Sequence, residues 1–126
     1  SEQTSFPWRV LFDSGAVLVN GTDVPVEPID PLASLHATVS RMTSQGKPFV
    51  PEQALTRVEA LASYTINSAY AAFEEDVKGS VTPGKWADLV VLSHDFFTVE
   101  TADIAKLQIE MTIVAGQIRY AREPST

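Results

Sequence analysis

The sequence predicts an α/β chain that moves to β at its C-terminal end, or α+β when taken as an isolated chain. Three observations carry that class. Apolar residues recur at helical spacing between Leu32 and Phe73. Two β-type segments flank Ala115-Gly116 near the end. One uncharged run, Ala16-Val17-Leu18-Val19, precedes the helices and does not alternate.

The elements follow in order. Pro7 suits a first helical turn, and Trp8–Asp13 reads as a short helix stopped by Ser14-Gly15. The apolar, β-branched run at about 16–20 suits a strand buried on both faces, as in a parallel sheet. It leads into Asn20-Gly21-Thr22-Asp23-Val24-Pro25-Val26, a loop with a carboxylate at its centre. Pro25, Pro28 and Pro31 exclude a central strand or helix across that stretch. Leu32, Leu35, Val39 and Met42 make one face of a helix over about 32–43, with Gly46 near its C′ position. Thr56 and Glu59 form a capping box. It opens a helix over about 56–73, with the stripe Val58, Leu61, Ala62, Thr65, Ile66, Ala69 and Phe73. Tyr64-Thr65-Ile66 is where that helix would break in two. Glu74-Glu75-Asp76 reads as a solvated loop. Beyond it, Leu89–Leu92 is an apolar strand, and Ala102–Leu107 a single helical turn. Thr112–Val114 and Gln117–Tyr120 make a tight hairpin about Ala115-Gly116. A doubly buried strand needs parallel neighbours, and nothing before Ala16 supplies one.

Length and charge exclude several classes. The 126 residues, 13.7 kDa in all, allow one ordinary domain. They cannot hold a complete (β/α)₈ barrel, which needs about 250 residues. With 44% hydrophobic and 20% charged residues the chain is globular in composition. It should bury roughly two thirds of its unfolded surface. The absence of cysteine removes disulfide frameworks, thiolate zinc sites and cysteine nucleophiles. A net charge of −7 with nine scattered basic residues argues against nucleic acid. No apolar stretch approaches the roughly 20 residues of a membrane span, so no membrane partner is expected. Ser1-Glu2-Gln3-Thr4 shows no signal pattern and no initiator Met. The expectation is a cytoplasmic protein whose translation begins upstream of Ser1.

Four segments in order carry a family resemblance. They are Gly21-Thr22-Asp23-Val24-Pro25-Val26 and the helical Ala60–Phe73. The third is Gly79-Ser80-Val81-Thr82-Pro83-Gly84-Lys85-Trp86-Ala87-Asp88-Leu89-Val90-Val91-Leu92, and the set closes with Thr112–Ile118. Together, from about Phe6 to Tyr120, they resemble the C-terminal part of a metal-dependent hydrolase of the amidohydrolase superfamily. The type is amidohydrolase 3, similar to N-substituted formamide deformylases. The resemblance implies that residues 1–77 are the last strand and closing helices of a (β/α)₈ barrel. Residues 78–126 would be the C-terminal half of a composite β-sandwich. It also implies hydrolysis of amide or other non-peptide C–N bonds through a metal-activated water. Asp23 would be both metal ligand and catalytic base.

The chemistry of Asp23 stands beside this. A carboxylate just past the C-terminal end of a barrel strand lies on the face where catalytic groups collect. Beside a divalent cation it stays ionised. It can then ligate the metal, take a proton from water and return it to the leaving amine. The alternative is a loop Asp making an Asx turn before Pro25. The resemblance implies an early His-x-His pair, a Lys or other bridging ligand and two later histidines. This chain has only His36 and His94, neither at a ligand position. His36 reads as a packed or interface residue and His94 as a surface one. One carboxylate cannot hold a catalytic zinc, which needs about three protein ligands.

The expectation is therefore a fragment. It would be inactive alone and bind no metal tightly. The full-length enzyme would use a divalent metal, zinc first, on a small-molecule amide-type substrate. The fragment's partners would be the rest of its own barrel or, through exposed apolar area, other copies of itself as a homo-oligomer. The competing reading is a non-catalytic α+β interaction domain that retains hydrolase-like motifs. Other residues read as structural. Pro83-Gly84 is a type II turn and not a phosphate loop. Asp88 bonds backbone at the sandwich edge, Asn67 caps or bridges helices, and Trp8 and Trp86 pack half-buried. Tyr64 and Tyr70, six apart, do not share a helix face.

Overall fold

The computed structural model describes residues 5–123; the N-terminal Ser1–Thr4 stretch lies outside them. Helix α1 (Trp8–Asp13) is followed by α2 (Pro31–Ser40), a 3₁₀ turn (Pro51–Gln53), α3 (Arg57–Tyr64) and α4 (Ile66–Ala71). The second half holds β1 (Leu89–Leu92), a 3₁₀ helix (Thr101–Lys106), β2 (Ile109–Val114) and β3 (Gln117–Ala121). The strands form an antiparallel sheet in the order β1-β2-β3. Among the described residues no helix is long and apolar enough to cross a membrane.

Local chemistry sets the helix ends. The Asp30 carboxylate accepts the N–H groups of Leu32 and Ala33, both at 3.1 Å, and Pro31 opens α2 at N1. That helix ends three residues before the expected position 43. Arg41 takes a left-handed conformation (φ 53°), and Met42 bridges back to Pro48. Gly46 sits in the turn of that bridge and not at the helix C′. The Thr56–Glu59 capping box is present.

The continuous helix over 56–73 is not. Thr65 breaks it at φ −120°, ψ −94°. Its hydroxyl bonds the Leu61 carbonyl at 2.8 Å, and its N–H takes Ala62 instead of Leu61. A side chain competing with the backbone ladder produces such an interruption. The predicted hairpin forms, with Ala115 and Gly116 both at positive φ, as a type I′ turn requires. The Asp88 carboxylate receives the Ala115 N–H at 2.7 Å.

The expected strand at 16–20 is the main departure. No strand pairs with it, and Val17 and Val19 remain 53% and 52% exposed. A strand exists only through a ladder, and the sheet lies in the other half of the chain. Trp86, expected half-buried, is exposed as well.

The core is small. Leu32, Leu35, Ala60, Phe96, Ile104 and Leu107 form it, and residues on both sides of position 78 contribute. Arg57 ties the halves together by donating to the Phe96 carbonyl (2.7 Å) and the Thr101 hydroxyl (3.3 Å). The accessible surface is 8624 Å², against about 6600 Å² for a compact monomer of 13.7 kDa. Burial is about 57% of the unfolded surface, below the two thirds expected from length.

Helix α1 docks through one ion pair. Arg9 grips Glu59 with Nη1 at 3.1 Å from Oε1 and Nη2 at 2.5 Å from Oε2, and it also donates to the Ala54 carbonyl. The Arg9 guanidinium and the Thr56 N–H hold the Glu59 carboxyl down at about 2. A depressed carboxyl contributes stability above its unfolded value, which is lost as pH falls toward the folded one. Glu59→Gln should therefore cost about 1–3 kcal/mol at neutral pH. Urea denaturation should show that difference closing as pH drops from about 4.5 toward 2. A gap that does not vary with pH would contradict the assignment.

Gly79 lies close against α4. It sits at φ +89°, and a Cβ there would lie 2.7 Å from the Ala69 Cβ on α4 and 3.0 Å from the Ile66 Cα. Gly79→Ala should destabilise by about 1–3 kcal/mol, from positive φ and steric overlap together. The same change at Gly84, which has open space, should cost less in thermal melting.

Candidate functional site

The segment from Leu18 to Asp23 is held by hydrogen bonds and not by a sheet. In an unbroken helix the Ser63 carbonyl would receive the N–H of residue 67. Across the Thr65 break it instead accepts the Asn20 N–H at 3.0 Å and the Ser68 hydroxyl at 2.9 Å. The break also turns the Asn67 amide onto the Leu18 carbonyl at 2.9 Å. Asn20 adds two bonds. Its Nδ2 donates to Thr38 Oγ1 at 2.9 Å, and its Oδ1 receives the Gly21 N–H at 2.9 Å. Thr38 in turn donates to the Ser34 carbonyl on α2. Helices α2, α3 and α4 thus converge on the two residues that launch the Asp23 loop.

Asp23 itself is exposed, with φ 60°. That left-handed conformation is tolerable for Asp and uncommon for most residues. Its main-chain carbonyl receives the N–H groups of Val26 (2.9 Å) and Glu27 (3.4 Å). Its carboxylate has no hydrogen-bond or ion-pair partner among the described residues, so the turn is closed by main chain and is not an Asx turn. Backbone order and a free carboxylate coexist there.

The other polar candidates lie apart from it. Half-buried His36 is on α2, and exposed His94 bonds only the adjacent Ser93 hydroxyl. No group of three or more His, Asp or Glu residues among the described ones lies close enough to hold a metal ion. These residues do not build a metal centre by themselves; Asp23 would be one donor of a larger set.

Two hollows among the described residues bear on the question. A depression of about 500 Å³ lies on the sheet, lined by Gln108, Ile109, Thr112, Tyr120 and Arg122. Its Arg122 pairs with Glu110 and draws that carboxyl below its ordinary value. No residue of the Asp23 loop lines it, so its size does not make it the reaction site. The second, about 70 Å³, lies against the clamp and is lined by Trp8, Leu18, Val19, Asn20, Thr38, Leu55 and Ser63. It is too small for a substrate.

The long Gly79–Leu92 motif is architectural. Gly79 lets the loop touch α4. The Lys85 ammonium donates to the Glu75 carbonyl, and to the Lys78 carbonyl at 3.4 Å, just past the C-terminus of α4. Lys85 N–H closes the Thr82-Pro83-Gly84-Lys85 turn on the Thr82 carbonyl.

A sequence profile of the amidohydrolase family matches residues 2–120. The chain belongs to the amidohydrolase family. It is 37% identical over 120 residues to the N-substituted formamide deformylase of Arthrobacter pascens, covering 95% of this chain and 22% of that protein. It is 34% identical over 123 residues to the Bacillus subtilis protein YtcJ, covering 95% of this chain and 23% of that one. Among solved structures, an amidohydrolase from Thermotoga maritima superposes with a TM-score of 0.71 at 24% identity, over 97% of this chain and 27% of that one. An uncharacterised metal-dependent hydrolase from Pyrococcus horikoshii superposes with a TM-score of 0.68 at 31% identity, over 80% of this chain and 21% of that one. The chain therefore spans about a quarter or less of the relatives it matches.

Sequence reasoning singled out Asp23 and gave Asn67 a helix-capping or helix-bridging role; Asn67 instead holds the Leu18 carbonyl, and Asn20 and the Ser63 carbonyl were missed. The available signal was the Tyr64-Thr65-Ile66 interruption, whose freed carbonyl needs a donor. Asn67→Ala should cost about 1–2 kcal/mol. Hydrogen exchange should quicken at the Asn20 and Gly21 amides and stay unchanged in β2–β3.

Proposed function

We propose that this chain is the C-terminal part of a metal-dependent hydrolase of amide or other non-peptide C–N bonds. In this reading Asp23 is a metal-ligating carboxylate and the general base. The observation that carries it is the pairing of a fixed backbone with an unengaged carboxylate at Asp23. Family membership supports the hydrolase class, and the names of the Arthrobacter and Pyrococcus relatives support the bond type and the metal.

The 16–20 segment would be the eighth barrel strand, its ladder completed by neighbours outside these 126 residues. The two closing helices hold it from behind. Residues 78–126 would be the C-terminal share of the sandwich.

A divalent cation, zinc first, would supply the polarisation of the scissile carbonyl and acidify the attacking water. This chain's own share is smaller and definite. Asp23 contributes one anionic donor, accepts the proton of the attacking water and delivers it to the departing amine. Asn20 and Asn67 hold the loop that aims it. With one donor, the 126-residue chain alone is inactive and holds zinc weakly, since such a site needs about three protein ligands.

The test uses the longer polypeptide that carries this chain. Asp23→Asn should lower kcat by about 10³-fold or more on N-substituted formamides, with the fold intact by circular dichroism. Its metal content should fall as measured by mass spectrometry. Full activity of that variant would refute the role given to Asp23. Stoichiometric zinc retained by the 126-residue chain through gel filtration would refute the single-donor account.

A further inference from the structure

We propose that Asn20 is a site of spontaneous deamidation, and that the reaction releases the Asp23 loop from α2. The chemistry needs an asparagine whose side-chain carbon lies within reach of the next main-chain nitrogen. It also needs a following residue that does not shield that nitrogen. Asparagine occurs at positions 20 and 67, and only Asn20 is followed by glycine. Asn67 precedes Ser68 inside α4. There the Ser68 Cβ crowds the nitrogen and the helix fixes the peptide plane.

The geometry at Asn20 brings the reacting atoms together. Its Oδ1 accepts the Gly21 N–H at 2.9 Å, so Cγ, one bond from Oδ1, lies beside that nitrogen. Residues 20 and 21 belong to no helix, strand or turn. The Gly21 N–H makes no main-chain hydrogen bond among the described residues that the reaction would have to break. Gly21 is required neither by a positive φ nor by a close approach, since a Cβ built there meets nothing within 4 Å. Its bare Cα leaves the nitrogen open to both faces.

The reaction uses water alone. Hydroxide removes the Gly21 amide proton, and the nitrogen attacks Asn20 Cγ. The N–Cγ bond forms, the Cγ–Nδ2 bond breaks, and ammonia leaves with a proton from water. Water then opens the cyclic imide at either carbonyl. Opening at Cγ leaves an aspartate. Opening at the main-chain carbonyl leaves an isoaspartate, whose chain runs through Cγ.

Either product undoes the attachment to α2. Nδ2 is lost, and with it the 2.9 Å bond to Thr38 Oγ1. The Thr38 hydroxyl is buried, and its proton is committed to the Ser34 carbonyl at 2.9 Å. A carboxylate there meets an acceptor where the amide offered a donor, and a buried acceptor left unpaired is costly. Isoaspartate also adds a carbon to the main chain between the N–H that Ser63 holds and Gly21, which shifts the start of the Asp23 loop. Every group in the argument belongs to this chain. The inference rests on neither the hydrolase reading nor on what lies beside the segment in a longer polypeptide.

The 126-residue chain, kept in mildly alkaline buffer, is sampled over time by intact mass and peptide mapping. The Asn20 peptide should exchange its amide for a carboxylate and appear as separate aspartate and isoaspartate forms, while the Asn67 peptide stays unchanged. Gly21→Ala, for which the fold has room, should slow the reaction about tenfold or more. Thr38→Val frees the amide and should speed it about fivefold, the worth of one neutral hydrogen bond. Unchanged hydrogen exchange in β2–β3 checks that each variant is folded. In the deamidated fraction, separated by anion exchange, the amides of residues 20 and 21 should exchange faster. An Asn20 amide lost no faster than that of Asn67 overturns the proposal. So does a rate that neither variant moves, or a deamidated fraction with unaltered protection at residues 20 and 21.

Discussion

The Ser63 carbonyl is the group on which the candidate site depends. A helix that ran unbroken through Thr65 would use that carbonyl internally and would turn Asn67 elsewhere. The interruption frees the acceptor and aims the amide, and both then grip alternate residues of the 16–20 segment. A side-chain amide and a helix-end carbonyl do there what a neighbouring strand does in a sheet. The Asp23 loop inherits its position from that grip.

The rest of the molecule is assembled from similar point attachments. Arg9 holds α1 to α3 through Glu59, and Arg57 holds α3 to the loop before the 3₁₀ helix. Arg41 is buried over the Trp8 ring at 4.3 Å, with Nε on the Phe49 carbonyl and no partner for its Nη2. Charge-assisted bonds are the stronger class, and here they join pieces around a six-residue core. Exposed Val26, Ile29 and Phe73 show how much apolar surface that core leaves uncovered. The matched relatives are about four times as long or more.

Legibility varied with the range of the interaction. The capping box at Thr56–Glu59, the hairpin at Ala115-Gly116 and the Asp88 bond to the sheet edge all depend on residues whose types announce them. The α2 end at Arg41 was not legible, because Met42 continues the helical spacing while the chain turns back toward Pro48. The segment at 16–20 has no ladder among the described residues, for a different reason. Its residues suit a strand, but the ladder depends on what lies beside it.

The sequence by itself determined the family and the local signals, the Thr56–Glu59 cap and the hairpin about Ala115-Gly116, because each rests on local spacing and on motif residues. Only the tertiary structure decided that Asn20, Ser63 and Asn67 hold the loop and that Gly79 is pressed against Ala69. Those are contacts between residues far apart in the chain. Which donor meets which acceptor across such a distance is set by how the helices pack, and no local pattern encodes it.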